Sequence, residues 1–381
     1  MTAPHQPRIL MLNNEYPPIG GGTGTVTQQI LLHWKEEYGQ VDLITCSLSN
    51  ESREIQLSNS VKIHFLPIKR ANIHHASNLE LISFFFRSYF KARTLLKENQ
   101  FTHILAWCSL PAGATALLLS KLFRIPYSVR VSGPDVPGFE DRYETIVQTC
   151  KPLLKRIWTT SERVVVKSQF EVAAVLSVAP KAKIVVVPNG VNPQLLEIPR
   201  IYDSDRAFTI LCVGRLIPRK RQGDLIYAVN SLIKEGRDIK LTLVGDGDCL
   251  MSLQKLAHQL GISTNVEFAG YQPRTNIQKL LQNGDLFVLP SEREAMSIAI
   301  LEALAAGMPV IATEECDFDG LLIHGENCLL FHTGDRTVLQ NQIEMILENR
   351  SLRESIGKAA RESVRPLSWA TIVEKIVGLL T

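Results

Sequence analysis

DLFVLPSEREAMSIAILEALAAGMPVIAT, residues 285–313, decides the architecture. It opens on a short apolar run, Asp285–Leu289, and crosses a polar bend. It then enters a helix-forming stretch, IAILEALAA, and closes on a second apolar run, Val310–Ala312, after Gly307 and Pro309. Two such runs joined by a helix read as one strand–helix–strand unit, because parallel strands need a long crossover between them.

The same rhythm extends outward in both directions. Upstream in the second half, strands are expected at Thr209–Val213, Lys240–Val244 and Val266–Ala269, and downstream at Cys328–Phe331. In the first half they are expected at Arg8–Asn13, Val41–Cys46, Val61–Leu66, His103–Trp107, Tyr127–Val131, Arg163–Lys167 and Lys183–Val187. Helical patterns lie between many of them, which is the grammar of parallel sheets covered by helices. The polar stretch Asn192–Arg206 interrupts the rhythm, with two prolines and a charged run, and is the expected linker. The rhythm restarts beyond it. An α/β fold of two similar domains is therefore expected, 1–195 and 205–365, facing each other across a deep cleft. In such sheets, ligands bind beyond the carboxyl ends of the strands.

Bulk properties agree with two domains. The chain has 381 residues and 45% hydrophobic composition, at a typical ~150 residues per domain. No run of apolar residues is long enough for a membrane-spanning helix. The N-terminus lacks a charged segment followed by an apolar one, so no secretory signal is expected. Seven scattered cysteines without a CxxC pattern suggest neither a zinc ribbon nor a disulfide framework, and a reducing cytoplasm is the simplest compartment. In that compartment the sequon at Asn50 is accidental. The net charge of +3 is uneven. Residues 1–200 hold 22 Lys/Arg against 15 Asp/Glu, and residues 201–381 hold 19 against 23. The first half could therefore meet an anion: a phosphate, an acidic lipid or a nucleic acid.

Three segments carry chemistry. YPPIGGGTG, residues 16–24, follows the first strand and opens a helix near Thr25. Its glycines Gly21 and Gly22 let backbone N–H groups approach an anion, with a helix dipole behind them; a flexible turn is the alternative. VGRLIPRK, residues 213–220, follows the first strand of the second half. Arg215 and Lys220 could converge on a diphosphate leaving group, the fork of one and the point charge of the other neutralising developing charge. A solvated basic loop is the alternative. The opening stretch supplies the third. Glu294 and Glu302 are eight apart, about two helical turns, so a regular helix would put them on nearly one side. Glu294 is expected at the helix mouth and Glu302 within an apolar face. A carboxylate there needs a partner, and sugar or ribose hydroxyls fit. Helix stabilisation for Glu294 and a structural ion pair for Glu302 remain open.

Taken together these segments resemble the GT-B glycosyltransferases of family 4, nearly end to end. The resemblance is carried by YPPIGGGTG, VSGPDVPGF, VVPNGVN, VGRLIPRK, LTLVGDG, VEFAG, the opening stretch and a final LSWATIVEKI. It implies two Rossmann-like domains, an N-terminal acceptor domain and a C-terminal donor domain, with a last helix, 366–381, crossing back to the first. It implies that Arg215 and Lys220 bind the donor diphosphate and Glu302 the ribose. Glu294 and the backbone of Ala295, Met296 and Ser297 would hold the sugar, and Gly21 and Gly22 would lie near the phosphates and acceptor. Glu294, Arg215 and Lys220 are then the catalytic set, and Gly133 and Asp135 fall on the acceptor side. The donor would be a UDP- or GDP-linked hexose, transferred with retention to a glycan, lipid-linked or glycolipid acceptor of cell-envelope polysaccharide synthesis. No cofactor and no obligatory divalent metal are implied.

The chain departs from the family at several points. Ser132 stands where His or Arg usually precedes Gly133. Ala295 replaces a usual Gly, where an added methyl could tune donor choice. Cys316-Asp317 and Leu321 replace a common Gly-Gly…Glu pattern, and Cys328 stands where Gly is common. Asp246-Gly247-Asp248 looks like the metal motif of another glycosyltransferase fold but is read as a turn. His74-His75 is read as a loop feature. The segment Leu81–Lys97 is aromatic and basic, suited first to packing its aromatic residues on the sheet and alternatively to an anionic membrane, so a cytoplasmic protein is expected, with the inner face of the membrane left open. An NAD oxidoreductase would need a GxGxxG after the first strand, which is absent. A nucleic-acid binder would show a recognition motif. A sugar-nucleotide epimerase of the same architecture and an inactive sugar-nucleotide-binding relative are the alternatives.

Overall fold

The computed structural model describes residues 6–49, 51–68, 70, 73, 76–202, 206–316 and 318–380. Asn50, the His74-His75 pair, Asp317 and residues 203–205 of the expected linker lie outside them. The chain forms two compact units, Met1–Asn189 with Trp369–Thr381, and Gly190–Ser368.

The first unit contains, in order, β1 (Arg8–Leu12), α1 (Gly22–Leu32), β2 (Gln40–Cys46), β3 (Arg53–Ser58), β4 (Val61–Leu66), α2 (Asn78–Glu98), β5 (His103–Trp107), α3 (Ala114–Phe123), β6 (Tyr127–Arg130), α4 (Asp141–Thr149), α5 (Lys151–Thr160), β7 (Val164–Val166), α6 (Gln169–Val178) and β8 (Ile184–Val186). The sheet order is β3-β4-β2-β1-β5-β6-β7-β8. β1 is central, and its residues Ile9 to Leu12 are buried. That requires cover on both faces. The step from β1 to β2 and the step from β5 to β6 run in opposite directions across the sheet. Right-handed crossovers then place α1 on one face and α3 on the other.

The second unit opens with the short helix α7 (Pro193–Glu197) and continues β9 (Phe208–Val213), α8 (Gln222–Lys234), β10 (Ile239–Val244), α9 (Leu250–Gln259), β11 (Val266–Gly270), α10 (Arg274–Asn283), β12 (Leu286–Leu289), α11 (Ile298–Ala305), β13 (Val310–Thr313), β14 (Leu329–Phe331), α12 (Arg336–Glu348) and α13 (Arg350–Val364). Its six strands pair in parallel in the order β11-β10-β9-β12-β13-β14. Winding runs from β9 to β10 on one side and resumes at β12 on the other. The crevice between the carboxyl ends of β9 and β12 is thus a topological switch point. The last helix, α14 (Trp369–Val377), belongs to the first unit, where it packs on α1 and buries Trp369, Ile372, Val373 and Ile376.

Each run expected as a strand forms one, within a residue or so of its expected ends. β3 is the exception, and its sequence shows why it escaped notice. Its residues are almost all exposed, and it is held by antiparallel pairing with β4 at the sheet edge and by Lys91 Nζ of α2, which donates to Glu54 Oε1 at 2.8 Å. The polar stretch read as a linker is also more ordered than expected. Arg200 donates from Nη1 to the Leu281 carbonyl (2.9 Å) and from Nη2 to the Gly284 carbonyl. Tyr202 donates its hydroxyl to Gly307 O at 2.9 Å, and Arg206 forks onto Asp285. Its polarity serves docking onto the second unit.

Candidate functional site

In the second unit, the chain leaving β9 turns through Gly214 and Arg215 into the short 3-10 turn Pro218–Lys220. Arg221 follows in the left-handed region at φ 50°, and α8 begins. This turn buries Lys220, which is only 8% exposed, and directs it across to the loop beyond β12. There Lys220 Nζ lies 2.5 Å from Glu294 Oε1. Arg219 Nη1 reaches the same oxygen at 3.3 Å, and Ser291 Oγ donates to it at 2.7 Å. Ser291 is itself fixed, since its carbonyl accepts from Thr313 Oγ1 at the end of β13. Burial would raise the Glu294 carboxyl, but the charges of Lys220 and then Arg219, with the hydrogen bonds from Lys220 and Ser291, hold it below the usual range. The cluster therefore presents an ionised carboxylate beside two cations at the switch point.

Glu294 does not stand at the first turn of a helix, as the spacing to Glu302 had suggested. α11 starts at Ile298, with Ser297 as its N-cap. The intervening Ala295, Met296 and Ser297 form a buried loop, so the two glutamates occupy different surroundings. Glu302 lies on α11, 4% exposed, and forms an ion pair with Arg274 at the start of α10. Burial raises its carboxyl, and Arg274 works against that rise without cancelling it. Arg215 is half-buried, and its carbonyl accepts from Gln222 Nε2 at 2.9 Å. The structure thus joins Lys220 to Glu294 and gives Glu302 a different cation.

Two glycines hold the neighbouring loop close. Gly245 has φ 135°, and a Cβ there would fall 2.1 Å from the Gly214 carbonyl oxygen. Gly247 has φ 155°, and a Cβ would fall 2.4 Å from the Leu216 oxygen. Leu216 N donates to Asp246 O, and Cys249 N donates to Leu216 O. The Asp246-Gly247-Asp248 segment is therefore a turn laced onto the Arg215 loop, with Asp246 Oδ1 accepting from Gly247 N at 2.7 Å.

In the first unit, α1 begins at Gly22, earlier than Thr25, with Gly21 as N-cap. Gly21 N donates to Glu15 Oε2 at 3.2 Å. A Cβ at Gly21 or Gly22 would meet nothing within 4 Å, so these glycines are not required by packing inside the unit. Gly133 and Asp135 form a 3-10 turn after β6. A Cβ at Gly133 would fall 2.3 Å from the Phe139 ring. Asp135 Oδ2 accepts from Ser109 N at 2.8 Å and Ser132 N at 3.1 Å. Burial pushes its carboxyl up to about 7, against those two donors. Ser132 Oγ lies 3.2 Å from Thr23 Oγ1 on α1, and Cys108 Sγ donates to it at 3.3 Å.

Known sequences and structures resemble this chain in family and fold. A family model described as glycosyltransferase family 4 matches residues 20–195, and one described as glycosyl transferases group 1 matches residues 197–363. This chain belongs to the GT-B glycosyltransferases of family 4. A GDP-mannose-dependent alpha-(1-6)-phosphatidylinositol monomannoside mannosyltransferase of Mycobacterium tuberculosis is 26% identical over 286 residues, covering 71% of this chain and 74% of that protein. Sucrose-phosphate synthase from Thermosynechococcus elongatus has the same fold, with a TM-score of 0.84 at 21% identity over 98% of both chains. HepE of Anabaena, solved in complex with UDP and glucose, gives a TM-score of 0.77 at 20% identity, over 98% of this chain and 99% of that one.

For this family 4 glycosyltransferase, sequence reasoning missed Arg219, Ser291 and Arg274. The first two are neighbours of residues already singled out, in the runs Pro218–Lys220 and Pro290–Glu294, and their polarity next to a buried acid was the available signal. Arg274 carried none, because only the packing of α10 beside α11 brings it to Glu302.

Proposed function

We propose that this glycosyltransferase moves a hexose-type sugar from a UDP- or GDP-linked donor to a hydroxyl of a glycan, lipid-linked or glycolipid acceptor, with retention at the anomeric carbon. The observation that carries the reading is the Lys220–Glu294 contact, reinforced by Arg219 and Ser291, at the switch point of the second unit. Arg215 and Lys220 take the diphosphate. Glu302 accepts hydrogen bonds from the ribose hydroxyls while sharing its carboxylate with Arg274; a carboxylate has about four lone-pair sites, enough for both. Glu294, with the backbone of Ala295, Met296 and Ser297, holds the sugar. Gly21 and Gly22 leave room for the phosphates and acceptor, and Gly133 and Asp135 set the turn that presents Ser132.

The anomeric carbon–phosphate oxygen bond breaks as the acceptor oxygen bonds to the same face. The acceptor proton passes to the departing diphosphate. The positive charge of Arg215 and Lys220 meets the negative charge as it develops on that leaving group. No protein nucleophile and no obligatory metal enter this scheme. The mannosyltransferase relative acts on a phosphatidylinositol monomannoside, as its name states, which supports a glycolipid acceptor and work at the inner face of the cell membrane. Among the described residues no helix is long and apolar enough to cross a membrane.

Thermal-shift titration with UDP, GDP, ADP and their sugars tests the donor half, since a ligand of the native state raises apparent stability by mass action. UDP or GDP should raise the melting temperature. Incubation with the matching sugar nucleotide and lipid extract should then release nucleoside diphosphate and a glycosylated product of retained configuration. Binding without release would favour the inactive relative, and a product with inverted configuration would overturn the mechanism.

A further inference from the structure

α2 carries an exposed stripe unlike any other helix face in the first unit. Leu79, Ile82, Phe86 and Phe90 are 78%, 54%, 54% and 59% exposed. They are followed at the same spacing by the exposed Arg93 and Lys97. Steps of three and four residues put all six on one side of a helix. The opposite side, Phe84, Ser88, Ala92, Leu95 and Leu96, is buried against the sheet and α3. The expectation that the aromatic residues pack inward holds for Phe84 and fails for Phe86 and Phe90. Burying those two would need a second apolar stripe on the sheet side, and a helix has room there for only one.

The neighbouring helices extend the face. The steps from β4 to β5 and from β5 to β6 run the same way across the sheet, so right-handed crossovers put α2 and α3 on one side of it. They pack together, with Ser88 Oγ 3.3 Å from Thr115 Oγ1. α3 exposes Leu118 and Leu122 beside Lys121, and α5, packed on α3, exposes Lys151, Leu153, Lys155 and Arg156. The three helices hold eight Lys/Arg and two Asp/Glu. A large apolar patch on a single chain marks an interaction surface. Its charge selects the partner, because a second copy would bring the same excess of cations against it.

We propose that the α2–α3 face, with the basic residues of α5 beside it, docks this enzyme onto an anionic lipid bilayer. Leu79, Ile82, Phe86 and Phe90 enter the headgroup–acyl boundary, and Arg93 and Lys97 reach lipid phosphates along the same stripe. The proposal names the surface behind the lipid-linked acceptor reading and rests on that reading for its purpose, while its evidence is the exposed face itself.

Co-sedimentation of the full chain with vesicles of phosphatidylcholine, with and without phosphatidylglycerol, tests it. The protein should pellet strongly with the anionic vesicles and only weakly with the neutral ones, where the apolar stripe acts alone. Binding should weaken but persist on going from about 0.05 M to about 0.5 M salt, as screening removes only the electrostatic part. Phe86→Ser with Phe90→Ser, and separately Arg93→Glu with Lys97→Glu, should each lower partitioning about tenfold or more. Leu32→Ser, an exposed leucine on α1 across the sheet, should leave it unchanged. Circular dichroism melts establish that each variant is folded. Absence of binding to anionic vesicles at low salt would overturn the proposal, as would wild-type partitioning by both stripe variants. So would a dimer in sedimentation velocity that the Phe86/Phe90 variant dissociates. Nucleotide release with water as acceptor, measured in the same variants, reports donor chemistry separately, so failure of docking and failure of the transferase reading are told apart.

Discussion

Lys220 faces the leaving group in the proposed chemistry and Glu302 the ribose, so substitutions at the two should differ in kind. Lys220→Ala removes the ammonium aimed at the leaving group, so kcat should fall about 100- to 1,000-fold with a smaller change in KM. Glu302→Ala should instead weaken nucleotide binding about 10- to 100-fold, the scale of one charge-assisted hydrogen bond, measured by calorimetry with the preferred nucleotide. Wild-type values in both variants would remove the site assignment. Asp135 offers a pH test in the first unit. Its carboxyl is raised to about 7 in the folded chain, by burial, against about 3.9 in an unfolded one. The native state therefore binds this proton more tightly, and the group's contribution to stability is present below the unfolded value and is lost as pH climbs through about 7. The melting temperature of the wild type should fall relative to Asp135→Asn between about pH 5 and pH 8. A difference independent of pH would show that Asp135 is ionised in the native state throughout.

At the scale of elements, the loops after β9, β10 and β12 act as one assembly. Gly245→Ala would force a methyl onto the Gly214 carbonyl from a backbone at φ 135°. Strain of this kind costs about 1–3 kcal/mol, or a fall of several degrees in melting temperature for a unit of this size. Donor affinity should drop as well, because the displaced loop carries Arg215. Gly21→Ala is the contrast. Its backbone lies at φ −121° and its Cβ would meet nothing. Stability should stay within about 0.5 kcal/mol, and any loss of activity would then report close approach of a substrate. The strands were legible because each is a short run of largely apolar, often β-branched residues, and most are buried on both faces. β3 was not, since exposed Arg53, Glu54 and Gln56 carry no such pattern and the strand depends on its pairing with β4. The start of α11 was misplaced for a similar reason. Ser297 caps it after a loop whose apolar residues, Ala295 and Met296, resemble helix in sequence but are buried as loop.

For the whole molecule, the chain's return is the test. Trp369 is fully buried in the first unit although it lies more than three hundred residues from β1 in sequence. Trp369→Ala should cost about 3–5 kcal/mol, the scale for emptying an aromatic core position. Calorimetry should assign that loss to the first unit, with the second unit's transition unmoved. Removal of residues 369–381 should unfold the first unit at lower temperature in the same way; a loss confined to the second unit would contradict the assignment. By itself the sequence determined the α/β alternation, the division into two halves, and the short list of Arg215, Lys220, Glu294 and Glu302, because those features live in local pattern and residue type. Only the tertiary structure decided that Lys220 meets Glu294 while Glu302 meets Arg274, that Asp135 caps backbone, and that Phe86 and Phe90 face outward. Each of those outcomes depends on which elements lie side by side, and a buried charge or an exposed ring takes its meaning from the neighbour that folding supplies.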